Sequence, residues 1–153
     1  MVILVGIIIP FAQGKAKCYA VPMAYSGNYR KEAEENTFFR KVLFTGTKSQ
    51  LVVMDIKPGE DVGEETHPHV EQTLFLLSGE GKAILDGEER PFRAGDVVVV
   101  TPGTRHNFLN TGGDSLKIVT IYVPANHIDG TIHKTKQDAE ADAADEAFGE
   151  GVA

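Results

Sequence analysis

From Thr37 to Pro124 the chain is a succession of short segments rich in Val, Ile, Leu and Phe, each closed by a turn signal. FFRKVLFT (38–45) ends at Gly46, and QLVVMDI (50–56) ends at Pro58-Gly59. TLFLLSG (73–79) is followed by KAILDG (82–87) with its Asp-Gly turn, and a short segment reaches Pro91 and Phe92. DVVVVT (96–101) follows Gly95, HNFLN (106–110) follows Pro102-Gly103, and SLKIVTIYV (115–123) follows Gly112-Gly113. Helical periodicity is absent. About eight such segments, joined mostly by two to six residues, are the pattern of an all-β sandwich or barrel. The valine run in DVVVVT predicts a strand buried on both faces.

The flanks differ from this body. Residues 2–9 of MVILVGIIIPF form an apolar, β-branched run that reads as an added strand, paired to the main sheet or exchanged with a neighbouring subunit. A signal-peptide core is the weaker reading: no Lys or Arg precedes the run and Pro10 interrupts it. It is also too short for a membrane span, which needs about 20 apolar residues. Met23 is an alternative start that would make residues 1–22 dispensable. In TKQDAEADAADEAF the β-branched residues vanish and Thr135 stands three before Asp138, so a short capped helix is expected near the C-terminus. The organisation is therefore an N-terminal extension (1–36), a β barrel (37–125) and a C-terminal extension (126–153), whose six acidic residues from Asp138 to Glu150 read as a solvated helix face.

With 153 residues the chain fits one domain with a sizeable core. A net charge of -7 without any Lys/Arg cluster argues against a nucleic-acid partner, and no helix-turn-helix segment is present to support a DNA-binding regulator. Membrane partners are not expected either. Cys18 is the sole cysteine, which precludes an internal disulfide and makes the cytoplasm the default compartment.

The stretch GEETHPHVEQ (63–72) places two histidines, three glutamates and a glutamine in ten positions. Glu65 and His67, two apart on a strand, share a face, and Gln72 shares the face of Leu74 and Leu76 on the next strand. Pro68 breaks the phase between the two and drops His69 into a turn. Beyond that break, period alone cannot separate Gln72 from His69 or Glu71 as a partner for His67.

At this point the chain resembles the cupin superfamily over roughly residues 38–124. The family's first motif, read back from Gly79 by its spacing, falls on Gln72, His67 and Glu65, with two of the usual His-x-His and Glu ligand types changed. Its second motif falls on Gly95, Gly103, His106 and Asn110, with Thr101 where a proline is usual. A subset of small cupins, many without an established activity, carries a similar lead into the histidine and a tail like PANHIDGTIHKT (124–135). The resemblance implies a double-stranded β-helix, the jelly-roll barrel of cupins, and one divalent transition metal ion held by Glu65, His67, Gln72 and His106. A rival set draws on His69 or Glu71.

Two imidazoles, a carboxylate and an amide oxygen suit Fe, Mn, Ni, Co or Zn as the divalent ion. One anionic ligand leaves a net positive centre, which attracts a small anionic substrate in a pocket lined by Leu74, Leu76 and Phe108. His127 and His133 read as satisfied polar side chains lacking paired carboxylates; Arg105 and Asn107, flanking His106, read as structural. Two functions are compatible with this sequence: a metal-dependent oxygenase, isomerase or decarboxylase, or a non-catalytic module that binds a sugar or acidic metabolite. No separate general base is identifiable. The apolar edge at residues 2–9 predicts a homodimer. Light scattering should therefore report a dimer for the full chain and a smaller species for a chain starting at Met23; two monomers would refute the expectation.

Overall fold

The structure, a computed structural model, describes residues 24–152, so the run at residues 2–9 and Cys18 lie outside the described residues. A helix α1 (Tyr29–Glu35) precedes the strands β1 (Arg40–Thr45), β2 (Gln50–Ile56), β3 (Glu71–Ser78), β4 (Glu80–Leu85), β5 (Glu88–Arg93), β6 (Val97–Val100), β7 (His106–Asn110) and β8 (Leu116–Val123). A two-residue strand β9 (Ile132–His133) and helices α2 (Lys136–Ala141) and α3 (Ala143–Glu150) close the chain. The strands form two antiparallel sheets, ordered β6-β3-β8-β2-β1-β9 and β5-β4-β7. The eight expected segments are all strands, and the all-β barrel expected from them is observed.

Alternation decides what each strand buries. Val52, Met54 and Ile56 of β2, Leu74 and Leu76 of β3, Leu116 and Ile118 of β8 and Phe108 of β7 point into one core with Phe92 and Ala83, all of them closed to solvent. Each large apolar side chain so buried contributes about 1.5–3 kcal/mol. At the other end of the same inward rows stand Gln50, Gln72, Thr120, Tyr122 and His106, also buried. The interior is therefore apolar at one end and polar at the other.

DVVVVT departs from expectation. Val97 and Val99 are each 53% exposed, because they point to the outer face of the sheet, which nothing covers there among the described residues; Phe75, beside Val97 on the interior strand β3, is 40% exposed on the same face. Two-sided burial requires a layer on each face of the sheet, and residue types alone do not reveal whether the second layer exists. The six-stranded sheet's outer face is covered in part by α1, whose Ala33 packs on Val53 and Val119. This helix falls in the stretch read only as an extension; Asn28 caps it by accepting from Lys31 N–H at 3.2 Å.

The C-terminal extension returns to the barrel. β9 pairs with β1, Arg40 opposite His133, and the Val42 amide donates to the Thr131 carbonyl at 2.9 Å. The expected capping box is present: the Asp138 amide donates to the Thr135 hydroxyl at 3.2 Å and the Asp138 carboxylate accepts from the Thr135 amide at 3.0 Å. The helix it starts stops at Asp142, which caps α3 in turn. Two of the six acids read as solvated are bound inward, Asp142 to His133 and Asp145 to His127.

Gly79, the glycine that ends the first motif, turns β3 into β4 with φ +91°, and a Cβ there would lie 2.6 Å from the Ser115 carbonyl oxygen. Gly79→Ala should destabilise the fold by about 2–5 kcal/mol, combining left-handed backbone strain with overpacking against backbone. Urea unfolding checks this as a lowered midpoint at unchanged slope.

Candidate metal centre

The first motif reaches the second through backbone. Residues 61–67 run antiparallel beside β7, but as two isolated bridges, Asp61 with Leu109 and Glu65 with His106, in place of the regular strand expected there. Gly63 at φ +103° and Pro68 keep this segment from continuing the ladder. Glu65 and His106 exchange both hydrogen bonds, each amide donating to the other's carbonyl at 2.9 Å. The Gly103 amide donates to the His67 carbonyl at 2.8 Å, so the turn before β7 fixes the position of His67.

This pairing brings three donor side chains together. Glu65, His67 and His106 present ligand atoms within 4.8 Å of one another. His67 Nε2 stands 3.4 Å from Glu65 Oε2, and His106 Nε2 stands 4.0 Å from the same oxygen. Glu65 Oε2 and His67 Nε2 are both buried without a hydrogen-bond partner. Orphaned buried acceptors are costly unless something satisfies them.

His106 supplies a second mark of a cation site. Its Nδ1 lies 2.9 Å from the Thr104 carbonyl and its Nε2 lies 3.1 Å from Gln72 Oε1. Burial holds the imidazole below its ordinary pKa and hence neutral, leaving one N–H for two oxygens. With Nδ1–H donating to Thr104, the Nε2 lone pair faces the Gln72 oxygen. A cation between two such acceptors reconciles them, and the Nδ1–H to carbonyl bond is the usual orienting contact behind a metal-bound histidine. Gln72 is itself held by its amide nitrogen, which donates to Thr120 Oγ1 at 3.2 Å and Tyr122 Oη at 3.0 Å.

Glu65 is anionic throughout the physiological range. Burial pushes its carboxyl up, but His67 and the Arg40 guanidinium outweigh this and hold it down to about 2. Arg40, buried on β1, reaches Glu65 Oε1 through Nη2 at 3.3 Å.

The rival donors stand apart from this cluster. His69 is exposed in the bend after Pro68, and Glu71 is exposed on the face of β3 opposite Gln72. Asn107 donates to Asp61 at 2.7 Å and accepts from the Gly63 amide at 3.0 Å, holding the first motif in place. Arg105 is exposed and lies 4.0 Å from Glu64. His127 and His133 are buried, and each has the carboxylate partner that the sequence did not reveal, Asp145 at 2.7 Å and Asp142 at 3.0 Å. Arg40 and Tyr122 also escaped the sequence reading. Tyr122 had a detectable signal, since it alternates with Ile118 and Thr120 along β8.

A cavity of about 670 Å³ opens over the cluster, with Arg40, Glu65, His67 and His127 on its wall. It is not the apolar pocket expected. Leu74, Leu76 and Phe108 lie in the packed core, and the cavity is walled by polar groups and by the C-terminal helices. No helix among the described residues is long and apolar enough to cross a membrane.

Two antiparallel sheets closed over a polar end with a Glu, His, His cluster define the cupin class of barrel. The profile described as Cupin domain matches residues 52–122. The uncharacterized protein YrkC of Bacillus subtilis is 37% identical over 126 residues, 78% of this chain and 68% of its own length. The crystal structure of BH2720 from Bacillus halodurans superposes with a TM-score of 0.77 at 35% identity, over 78% of this chain and 96% of that one. An oxalate-binding protein of Thermotoga maritima is 31% identical over 70 residues, 46% of this chain and 58% of its own. The chain belongs to the cupin superfamily.

Glu65→Gln removes the counter-charge of the buried Arg40. The variant should lose about 1–3 kcal/mol at pH 7. Because the folded-state pKa of Glu65 is depressed, this contribution is present above its ordinary value of 4.5 and is lost as pH falls toward about 2. Urea titrations of both proteins should therefore converge in stability across that window.

Proposed function

We propose that the protein is a metal-dependent cupin enzyme acting on a small anionic metabolite. Glu65, His67 and His106 hold one divalent transition metal ion, with the Gln72 amide oxygen as the fourth donor. The observation that carries this reading is the convergence of three donors within 4.8 Å, two of them with buried atoms that have no other partner. When bound, such an ion supplies a Lewis acid that polarises a substrate oxygen. Its identity among Fe, Mn, Ni, Co and Zn follows availability in the cell. Oxygenase, isomerase and decarboxylase chemistry all fit this donor set.

The protein's own groups do the positioning. Arg40 fixes the Glu65 carboxylate, Thr104 orients His106, and Tyr122 with Thr120 orients Gln72. A second reading, a binding module that holds a small acid without turning it over, is favoured by the likeness to the oxalate-binding protein.

Plasma mass spectrometry of the purified protein should find a near-stoichiometric transition metal that is lost from the His67→Ala, His106→Ala double variant. A wild type that stays metal-free after incubation with Fe(II), Mn(II), Ni(II) and Zn(II) removes the enzyme reading. A loaded protein that binds oxalate without consuming it supports the module.

A further inference from the structure

The C-terminal extension places a second imidazole on the wall of the same cavity. His127 is 4% exposed, and its backbone is clamped by one side chain: its amide donates to Gln50 Oε1 at 3.0 Å and its carbonyl accepts from Gln50 Nε2 at 2.7 Å. The ring stands edge-on to Tyr122, with centroids 5.0 Å apart at 88°. Nδ1 lies 2.7 Å from Asp145 Oδ2. Asp145 is buried as well, and its other oxygen accepts from the Ile128 amide at 2.8 Å.

These contacts fix a tautomer. Burial raises the Asp145 carboxyl, but the His127 hydrogen bond prevails and holds it below its ordinary value, so it is an acceptor only. His127 is held below its ordinary value by burial, against the opposing pull of Asp145, and is neutral at pH 7. Its one proton sits on Nδ1. Nε2 therefore carries a lone pair, and it is buried with no hydrogen-bond partner. Most buried polar atoms are paired, and of the two histidines in the extension that leave a nitrogen without a partner, His127 and His133, only His127 lines the cavity.

We infer that His127 Nε2 is the proton acceptor for the ligand, and that the ligand is a small monocarboxylic acid bearing a hydroxyl or enol O–H beside its carboxylate. The inference rests on the reading of the cavity as the ligand site. Arg40 lies on the same wall, and although its Nη2 is paired with Glu65, its Nε is buried without a partner and leaves a guanidinium N–H to offer the carboxylate. The rim selects against higher charge. Glu64, Glu140, Glu146 and Glu150 are exposed around the opening, Glu64 4.0 Å from Arg105 and Glu140 3.9 Å from a Lys136 also bound to Asp61, so repulsion grows with each negative charge a ligand carries and is least for a monoanion. In the enzyme the hydroxyl proton passes to Nε2, the ligand oxygen keeps the bonding pair, and the resulting imidazolium is stabilised by Asp145 before the proton returns. An orienting carboxylate behind the base is the same logic that serves other histidine bases.

Ring-nitrogen NMR of the ¹⁵N-labelled full chain, without metal and loaded with Zn(II), tests this directly. His127 should show a protonated Nδ1 and an unprotonated Nε2 in both states, and Asp145→Asn should shift that balance. Glycolate should move the His127 Nε2 resonance toward the hydrogen-bonded range, and acetate, which lacks the hydroxyl, should leave it in place. A proton on Nε2, or a His127 resonance indifferent to glycolate at saturating concentration, overturns the inference. The metal reading fails separately, if Zn(II) leaves the His67 and His106 ring nitrogens unmoved. His127→Gln should weaken glycolate binding about tenfold with metal content unchanged; unchanged affinity also counts against the proposal.

Discussion

The paired backbone hydrogen bonds between Glu65 and His106 are the constraint on which the site depends. Each residue is a donor and an acceptor to the other at 2.9 Å, so the loop bearing Glu65 and His67 is registered to β7 at the residue that carries the third donor. A slip by one residue would turn Glu65 or His106 to the opposite face, since side chains alternate with period two. Asn107 reinforces the register from the outer side through Asp61 and Gly63. The donor set is thus specified by main chain, and side-chain packing refines it.

That arrangement is compatible with a stable barrel because the polar end is kept separate from the apolar end. Along β3 and β8 the inward rows run from Gln72 and Tyr122 to Leu74, Leu76 and Ile118 without a change of face. Polar groups buried at the upper end are mostly satisfied, by Thr120, Tyr122, Thr104 and Gln50. Those left over are Glu65 Oε2, His67 Nε2, Arg40 Nε, Asn126 Oδ1 and His127 Nε2, all on residues that line one cavity, with Asp55 and His133 each leaving one atom elsewhere. Concentrating unsatisfied groups at a single cavity costs folding free energy there and marks where a ligand regains it.

Much of the barrel was legible because alternation and turn residues are local signals. The eight segments, the Asp-Gly turn at 86–87 and the Thr135 to Asp138 cap all rest on residues within a few positions of one another. What covers a sheet is not local. DVVVVT reads as a buried strand by composition, yet the outer face of the sheet at β6 has no covering layer among the described residues. The same distinction applies to the site. Glu65, His67 and His106 stand out through motif spacing, whereas Arg40 reaches Glu65 across 25 residues and His127 meets Asp145 across 18, along paths that no periodicity encodes.

The C-terminal extension is therefore part of the site's chemistry and not an appendage to the barrel. β9 ties the extension to β1 beside Arg40, the Gln50 amide fixes its backbone at His127, and α3 supplies Asp145. The barrel strands and the 61–67 segment offer a cluster of donors and a polar mouth. What the extension adds is His127, held by Asp145 on the wall of the same cavity, and exposed carboxylates at its rim. The division of labour follows from where rigidity is available: donors that must converge to within a few ångströms lie on paired backbone, and the group that must meet a ligand is borne by a loop held at His127 by Gln50 from the barrel and at Ile128 by Asp145 from α3.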